Sequence, residues 1–180
     1  MDGLYYGRMK WGLAIVAAMT LASAAASAQD EAERCGPLPA AVAKTRQAIH
    51  DAATKRDYAA LGKLANGENF TFSFGDDSDP VTYWKSEDAG GTDIRATIAS
   101  ILDMPCVIVA GEDGQPFYEW PSAAEIAYAH LTKDEVAQLK KLYGADLEQY
   151  WVEGTDTGYY VGWRLSIDKE GNWTDFVAGD

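Results

Sequence analysis

Residues 159–178, YYVGWRLSIDKEGNWTDFVA, give the clearest indication of the fold in this chain. From Tyr159 to Ile167 every second residue is apolar, which is typical of a strand that buries one face. Asp168 to Gly171 has the composition of a tight turn, with glycine available where a positive φ is needed. Trp173 to Ala178 then returns as a second strand. With a further strand over 147–152, these residues predict a three-stranded antiparallel meander at the C-terminus.

Upstream of the meander, helical patterns alternate with strand patterns. We predict helices over 38–54, 58–67, a short segment after Asp79-Pro80, 93–102, 122–130 and 132–144, with Thr92 as the cap of the helix over 93–102. We predict strands over 70–74, 106–110 and 117–120. Thr132 and Glu135 have the spacing of a capping box ahead of the last helix. The chain therefore reads as one α+β domain over residues 38–180, preceded by an arm over 29–37. Its N-terminal and central helices are expected to pack on a mainly antiparallel sheet.

The first 28 residues have the pattern of a secretory signal peptide. Arg8 and Lys10 precede an apolar run from Trp11 to Ala26, and small residues stand before a cleavage site after Ala28. The sequence therefore predicts export, with a periplasmic or secreted mature chain.

Two alternatives to cleaved export fit this segment less well. A permanent membrane span requires about 20 strongly apolar residues, whereas Thr20 and Ser23 interrupt this run. A lipid anchor requires a cysteine directly after the cleavage site, where the chain has Gln29. We expect no membrane attachment once the signal peptide is removed.

Cys35 and Cys106 are the two cysteines of the chain, and both follow the predicted cleavage site. In an oxidising compartment such a pair is typical of one structural disulfide. Closing a loop of about 70 residues would stabilise the fold by roughly 4 kcal/mol in the chain-entropy description. The alternative of a reactive single thiol has no supporting motif beside either cysteine.

The charge balance excludes one class of partner. The chain has 15 Lys and Arg against 28 Asp and Glu, for a formal net charge of −13. Such a surface repels nucleic acid and anionic membranes, whose binding depends on clustered cations. We expect no nucleic-acid partner, and solubility alone accounts for the acidity.

Motifs for common enzymatic and cofactor chemistry are missing from the sequence. It has no Gly-x-Ser-x-Gly elbow, no dinucleotide fingerprint and no phosphate-binding loop. His50 and His130 lie 80 residues apart, without the short spacing of a zinc site. We therefore predict no cofactor.

Two candidates for a chemical role remain, an acidic turn and a single histidine. Asp76, Asp77 and Asp79 form an acidic turn that could hold a hard cation such as calcium, although carboxylates ahead of Pro80 also cap helices. His130 could act as a general base near neutral pH. The alternatives are a hydrogen-bonded histidine at the edge of the core and a histidine at the end of a helix that interacts with the dipole.

The aromatic residues of the last third suggest a ligand-binding surface. If Trp163 faces the core, then Tyr160 and Arg164 point the other way and flank Gly162, and Trp151 lies nearby in the meander. An exposed tyrosine and arginine across a glycine gap would make a stacking platform for a sugar ring, a peptide or a carboxylate. Alternatively, helices cover this face, or Arg164 pairs with Glu148 or Asp175 across the sheet.

Several segments resemble a family of small exported bacterial proteins. The similar stretches are Gly162–Ile167, Gly171–Trp173, Phe176–Asp180, Arg56–Tyr58 and Phe70–Gly75. They span most of the mature chain. The resemblance implies export and brings no activity, because the family has none established.

The order of elements also resembles the NTF2-like (SnoaL and ketosteroid-isomerase) fold, in which helices curl against a bent sheet around an apolar pocket. The helical block from Ser122 to Gly144 departs from that pattern. No tyrosine-plus-carboxylate pattern of that family maps onto this chain. The resemblance therefore implies a fold and no site.

Three functions from different classes follow from these observations. The first is an exported binding or accessory protein for a small-molecule, glycan or peptide ligand. The second is an NTF2-like enzyme of isomerase or hydrolase type that uses a buried carboxylate or His130. The third is a structural module of the cell envelope, suggested by the Gly162-Trp163 pair.

Overall fold

A computed structural model describes residues 32–65, 67, 70–74, 78–111, 114–145, 147–152 and 158–179. The predicted signal peptide and the candidate metal ligands Asp76 and Asp77 lie outside the described residues. No helix within these ranges is long and apolar enough to cross a membrane.

The described residues form a mixed α+β structure, as predicted. The helices are α1 (Ala40–Thr54), α2 (Tyr58–Leu64), α3 (Pro80–Gly90), α4 (Ile94–Leu102) and α5 (Lys133–Tyr143). The strands are β1 (Glu33–Arg34), β2 (Val107–Ala110), β3 (Pro116–Trp120), β4 (Trp151–Val152), β5 (Tyr159–Tyr160), β6 (Arg164–Asp168) and β7 (Trp173–Val177). Short 3₁₀ turns cover Ser122–Ala124, Tyr128–His130 and Leu147–Tyr150.

Five of the strands form one antiparallel sheet in the order β1-β2-β3-β6-β7. The strands β4 and β5 pair separately, with Trp151 opposite Tyr160. The predicted three-stranded meander is therefore divided between two sheets. The division lies at residues 161–163, which leave the strand conformation: the Val161 amide donates to the Tyr150 carbonyl, and the Trp163 amide donates to the Tyr143 hydroxyl.

The segment predicted as a strand over 70–74 pairs through a single parallel bridge. Thr71 donates its amide to the Thr174 carbonyl and accepts from the Phe176 amide, both at 2.9 Å, so the segment lies beside β7. Phe70 packs in the core against Trp173 with ring centroids 4.9 Å apart. Phe74 is 56% exposed, so the alternation buries only the start of this segment.

Helices α1 to α4 pack on one face of the five-stranded sheet. From the sheet, this core receives Ile108, Tyr118, Trp120, Leu165, Ile167, Trp173 and Phe176. Trp84 of α3 is fully buried and stacks on Trp173, with centroids 5.6 Å apart. Because side chains alternate along a strand, the neighbours of these residues in β3, β6 and β7 point to the opposite face.

The capping residues in the sequence predicted the starts of three helices correctly. Asp57, Asp79 and Thr132 cap their helices, and Glu135 completes the predicted capping box. Asp93, rather than the predicted Thr92, caps α4, because its carboxylate accepts from the Ala96 amide.

The helix predicted over 122–130 is replaced by two 3₁₀ turns. The Ser122 hydroxyl does not cap this segment; it donates to the carboxylate of Glu135 in α5. Arg34 holds the same carboxylate at 2.9 Å. Burial alone would raise the pKa of Glu135, but the hydrogen bonds from Arg34 and Ser122 lower it to about 2.

The predicted disulfide between Cys35 and Cys106 is present. The Cys35 amide also donates to the Cys106 carbonyl at 2.8 Å, next to the two residue pairs that join β1 to β2. Residues predicted as an arm thus include an edge strand of the main sheet.

Candidate binding site on the second face of the sheet

The structure does not form the predicted exposed platform of Tyr160 and Arg164. Tyr160 is only 4% exposed, and its hydroxyl lies 2.6 Å from the Tyr143 hydroxyl. The reason is Gly162, whose missing side chain leaves room for both hydroxyl groups. Trp151 is buried beside Tyr160, with ring centroids 5.0 Å apart. Tyr160 and Trp151 therefore belong to a second hydrophobic cluster, which also includes Leu139 of α5.

This close approach predicts the effect of a single methyl group. A Cβ at Gly162 would lie 2.6 Å from the Tyr143 hydroxyl oxygen and closer still to Tyr160. Because these atoms would have to move, we expect Gly162→Ala to lower the free energy of unfolding by about 1–3 kcal/mol. Gly90→Ala in α3 is the matched control, since its Cβ would meet nothing within 4 Å. The control should be neutral or stabilise by up to about 1 kcal/mol. Urea unfolding checks both, and equal effects of the two substitutions would refute this account of the tyrosine pair.

The other candidate residues occupy structural positions. Asp79 caps α3 by accepting from the amides of Val81 and Thr82, each at 3.1 Å. His130 is exposed at the end of a 3₁₀ turn, and its carbonyl accepts from Arg34. No group of three or more potential metal ligands occurs among the residues that the structure describes.

Arg164 lies on the second face of the five-stranded sheet, opposite the face on which α1 to α4 pack. The register places Glu119 of β3, Ser166 of β6 and Asp175 of β7 side by side in one row on that face. Phe117 lies two residues from Glu119 and points the same way. We call this surface, defined by Phe117, Glu119, Arg164, Ser166 and Asp175, the carboxylate face.

Glu119 is the most perturbed carboxyl group of this face. Its side chain is 7% exposed, and no hydrogen bond to its carboxylate comes from the described residues. Burial, followed by the charges of Glu125 and Asp175, raises the pKa of Glu119 to about 8, and Arg164 lowers it in part. Near neutral pH this group is therefore mostly protonated.

The remaining charges of the face do not neutralise Glu119. The Arg164 Nε lies 3.8 Å from the nearest Glu119 oxygen, beyond hydrogen-bond distance, while its Nη1 donates to the Gly179 carbonyl at 3.0 Å. Burial raises the pKa of Asp175 as well, and hydrogen bonds from Ser166 and Thr174 offset part of that rise. Among the residues that the structure describes, Arg164 thus has Glu119 as its ion partner rather than Glu148 or Asp175, the partners considered from the sequence.

A groove of about 440 Å³ adjoins the carboxylate face. It lies between the start of β3 and the turn that joins β6 to β7, and Phe117, Asp168, Thr174 and Asp175 contribute to its lining. Because Phe117 and Asp175 belong both to the groove and to the carboxylate face, a small molecule in the groove would reach an aromatic ring and a carboxylate together.

Glu119 was missed by the sequence analysis, although a signal for it exists. It stands between Tyr118 and Trp120 in a strand that is otherwise apolar or aromatic. An acidic residue within such a strand is unusual when both faces of the sheet are covered. What could not be read from the sequence is which strand lies beside Glu119, and hence that Asp175 and Arg164 share its face.

Comparisons with protein-family models, with curated proteins and with solved structures give no match to this chain.

Proposed function

We propose that this chain is an exported binding protein whose ligand site is the carboxylate face and the adjoining groove. The observation that carries the proposal is Glu119: a carboxyl group that is buried yet receives no hydrogen bond from the described residues. Burying such a group without a partner costs free energy. A ligand that donates to it would remove that cost, and Phe117 supplies an apolar contact beside it.

Two further observations support export. The disulfide between Cys35 and Cys106 is of the kind that persists in oxidising compartments. The N-terminal pattern of a short cationic segment, an apolar run and small residues is that of a secretory signal.

The binding function can be tested by NMR with the labelled mature chain and a library of small neutral, cationic and anionic compounds. We expect at least one compound to shift the backbone amides of Phe117, Ser166 and Asp175 together. Phe117→Ala should weaken the binding of that compound about tenfold, equivalent to about 1.4 kcal/mol of binding free energy. Tyr159→Ala is the control, since Tyr159 is also a half-exposed aromatic residue but lies in the separate β4–β5 ribbon. A library without binders, or shifts that map elsewhere, would refute the proposal.

A second candidate function, acid catalysis by Glu119, is favoured by the raised pKa of this one group. A buried carboxylic acid that is still protonated near pH 7 can donate a proton to a bound substrate. The same NMR samples test it, because turnover converts a library compound into a new species. Such conversion should slow above pH 8 and stop in Glu119→Gln, whereas a binding protein leaves every compound unchanged.

A further inference from the structure

We propose that the ligand of the carboxylate face carries a protonated primary amine on an apolar body. This inference rests on the proposed function, because it names the ligand class for the same site.

The charges of the face select a cation. Glu119 and Asp175 flank Ser166 on neighbouring strands, and the charge of Glu125 also acts on Glu119. The cation nearest to Glu119 is Arg164, which also donates to the Gly179 carbonyl. Lys169 lines the groove as well, where it pairs with Glu170. An anionic ligand would be repelled by the nearby acidic groups and would further oppose ionisation of Glu119, whereas a cation favours the ionised form of Glu119.

The missing hydrogen bonds select a donor. An ammonium group carries three donors and no acceptor, which matches carboxylates that have unused lone pairs. The carboxylate of Glu119 accepts nothing from the described residues, and the 3.8 Å separation from Arg164 leaves it without a direct donor there. By contrast, Asp168 at the groove is already occupied, since it accepts from the Asn172 amide at 2.8 Å and from its side chain at 2.7 Å. Asp175 also accepts, from the Thr174 hydroxyl at 3.0 Å. Glu119 is therefore the group left to receive an amine, with the charge of Asp175 beside it.

The surroundings select an apolar body for the rest of the ligand. Phe117 lines the groove, and the register places Val109 opposite it on the same face of the sheet. A hydrated inorganic cation would gain nothing from these side chains, whereas an alkyl or aryl group attached to the amine would bury apolar surface against them.

Three compounds of one shape test the inference by titration calorimetry: benzylamine, benzyl alcohol and benzoate. We expect benzylamine to bind at least tenfold more tightly than the other two at pH 7.5. Its binding should release protons, because the protonated Glu119 must ionise to pair with the ammonium group, and its affinity should rise between pH 6 and pH 8. Buffers of different ionisation enthalpy report the proton release directly.

Two substitutions test whether the Glu119 carboxylate is responsible for the tighter binding of benzylamine. Glu119→Gln should weaken the binding of benzylamine at least tenfold and abolish proton release, while the affinity for benzyl alcohol stays unchanged. Glu148→Gln, at an exposed carboxylate on the 3₁₀ turn before β4, is the matched control and should change neither.

The outcomes separate this inference from the binding function. If benzyl alcohol binds as tightly as benzylamine, or if Glu119→Gln leaves benzylamine unaffected, the amine inference is wrong while the face remains a binding site. If none of the three compounds binds but other library compounds shift the face, the amine inference again fails alone. If no compound of any charge binds, both proposals fall.

Discussion

At pH 9 the Glu119→Gln variant should be more stable than the parent chain by on the order of 4 kcal/mol. Burial raises the pKa of Glu119 from its ordinary value of 4.5 to about 8 in the folded chain. The folded state therefore binds this proton more tightly than the unfolded state does. The contribution to stability is complete below pH 4.5, is lost as the pH rises toward 8, and stays lost above it. Glutamine keeps the shape of the protonated acid and cannot ionise.

Urea unfolding at pH 5 and pH 9 measures this effect. The parent should lose stability between the two values by more than Glu119→Gln does, and the two chains should be nearly equal at pH 5. The control Glu148→Gln replaces an exposed carboxylate and should stay within about 0.5 kcal/mol of the parent at both values. If the free energy of unfolding changes with pH in the same way for Glu119→Gln and for the parent, the folded chain does not hold this proton.

The same ionisation connects stability to the proposed ligand. A ligand cation that pairs with ionised Glu119 stabilises the form of the protein that is unfavourable without it. The proposed amine should therefore raise the melting temperature more at pH 8 than at pH 6. Ionised Glu119 thus lowers the stability of the ligand-free chain at a carboxylate that accepts no hydrogen bond from the described residues.

Removing the disulfide should have an effect of similar size. The cysteines are 71 positions apart in the chain, so the double substitution Cys35→Ser and Cys106→Ser is expected to lower the free energy of unfolding by about 4 kcal/mol, because the unfolded chain regains the entropy of the open loop. Only two residue pairs join β1 to β2. These pairs, the hydrogen bond from the Cys35 amide to the Cys106 carbonyl and the ion pair of Arg34 with Glu135 then remain to attach β1 to the domain.

Urea unfolding of the double variant and of the parent, with and without dithiothreitol, checks this expectation. Reduction of the parent should reproduce the loss, and the variant should not respond to the reductant. A loss below about 1 kcal/mol would mean that the unfolded chain is already compact around residues 35–106, since the entropy gained would then be small.

The sequence by itself determined the elements whose signals are local. Asp57, Asp79 and Thr132 cap helices because a short oxygen-bearing side chain reaches amides two or three residues away. Gly171 adopts a φ of 89° in the turn between β6 and β7, as its place in the turn motif predicts. The pairing of Cys35 with Cys106 followed from there being no other cysteine to choose.

Only the tertiary structure decided where strands separate and which charges meet. The alternation of 159–167 is continuous in the sequence, yet it breaks at Gly162. There the hydroxyl of Tyr143, from α5, and the hydroxyl of Tyr160, two residues earlier, occupy the space beside the backbone. Glu119 and Asp175 are 56 positions apart in numbering and become neighbours across β6 through strand pairing alone. Strand pairing and desolvation depend on contacts between distant residues, so the periodicity of any one segment does not contain them.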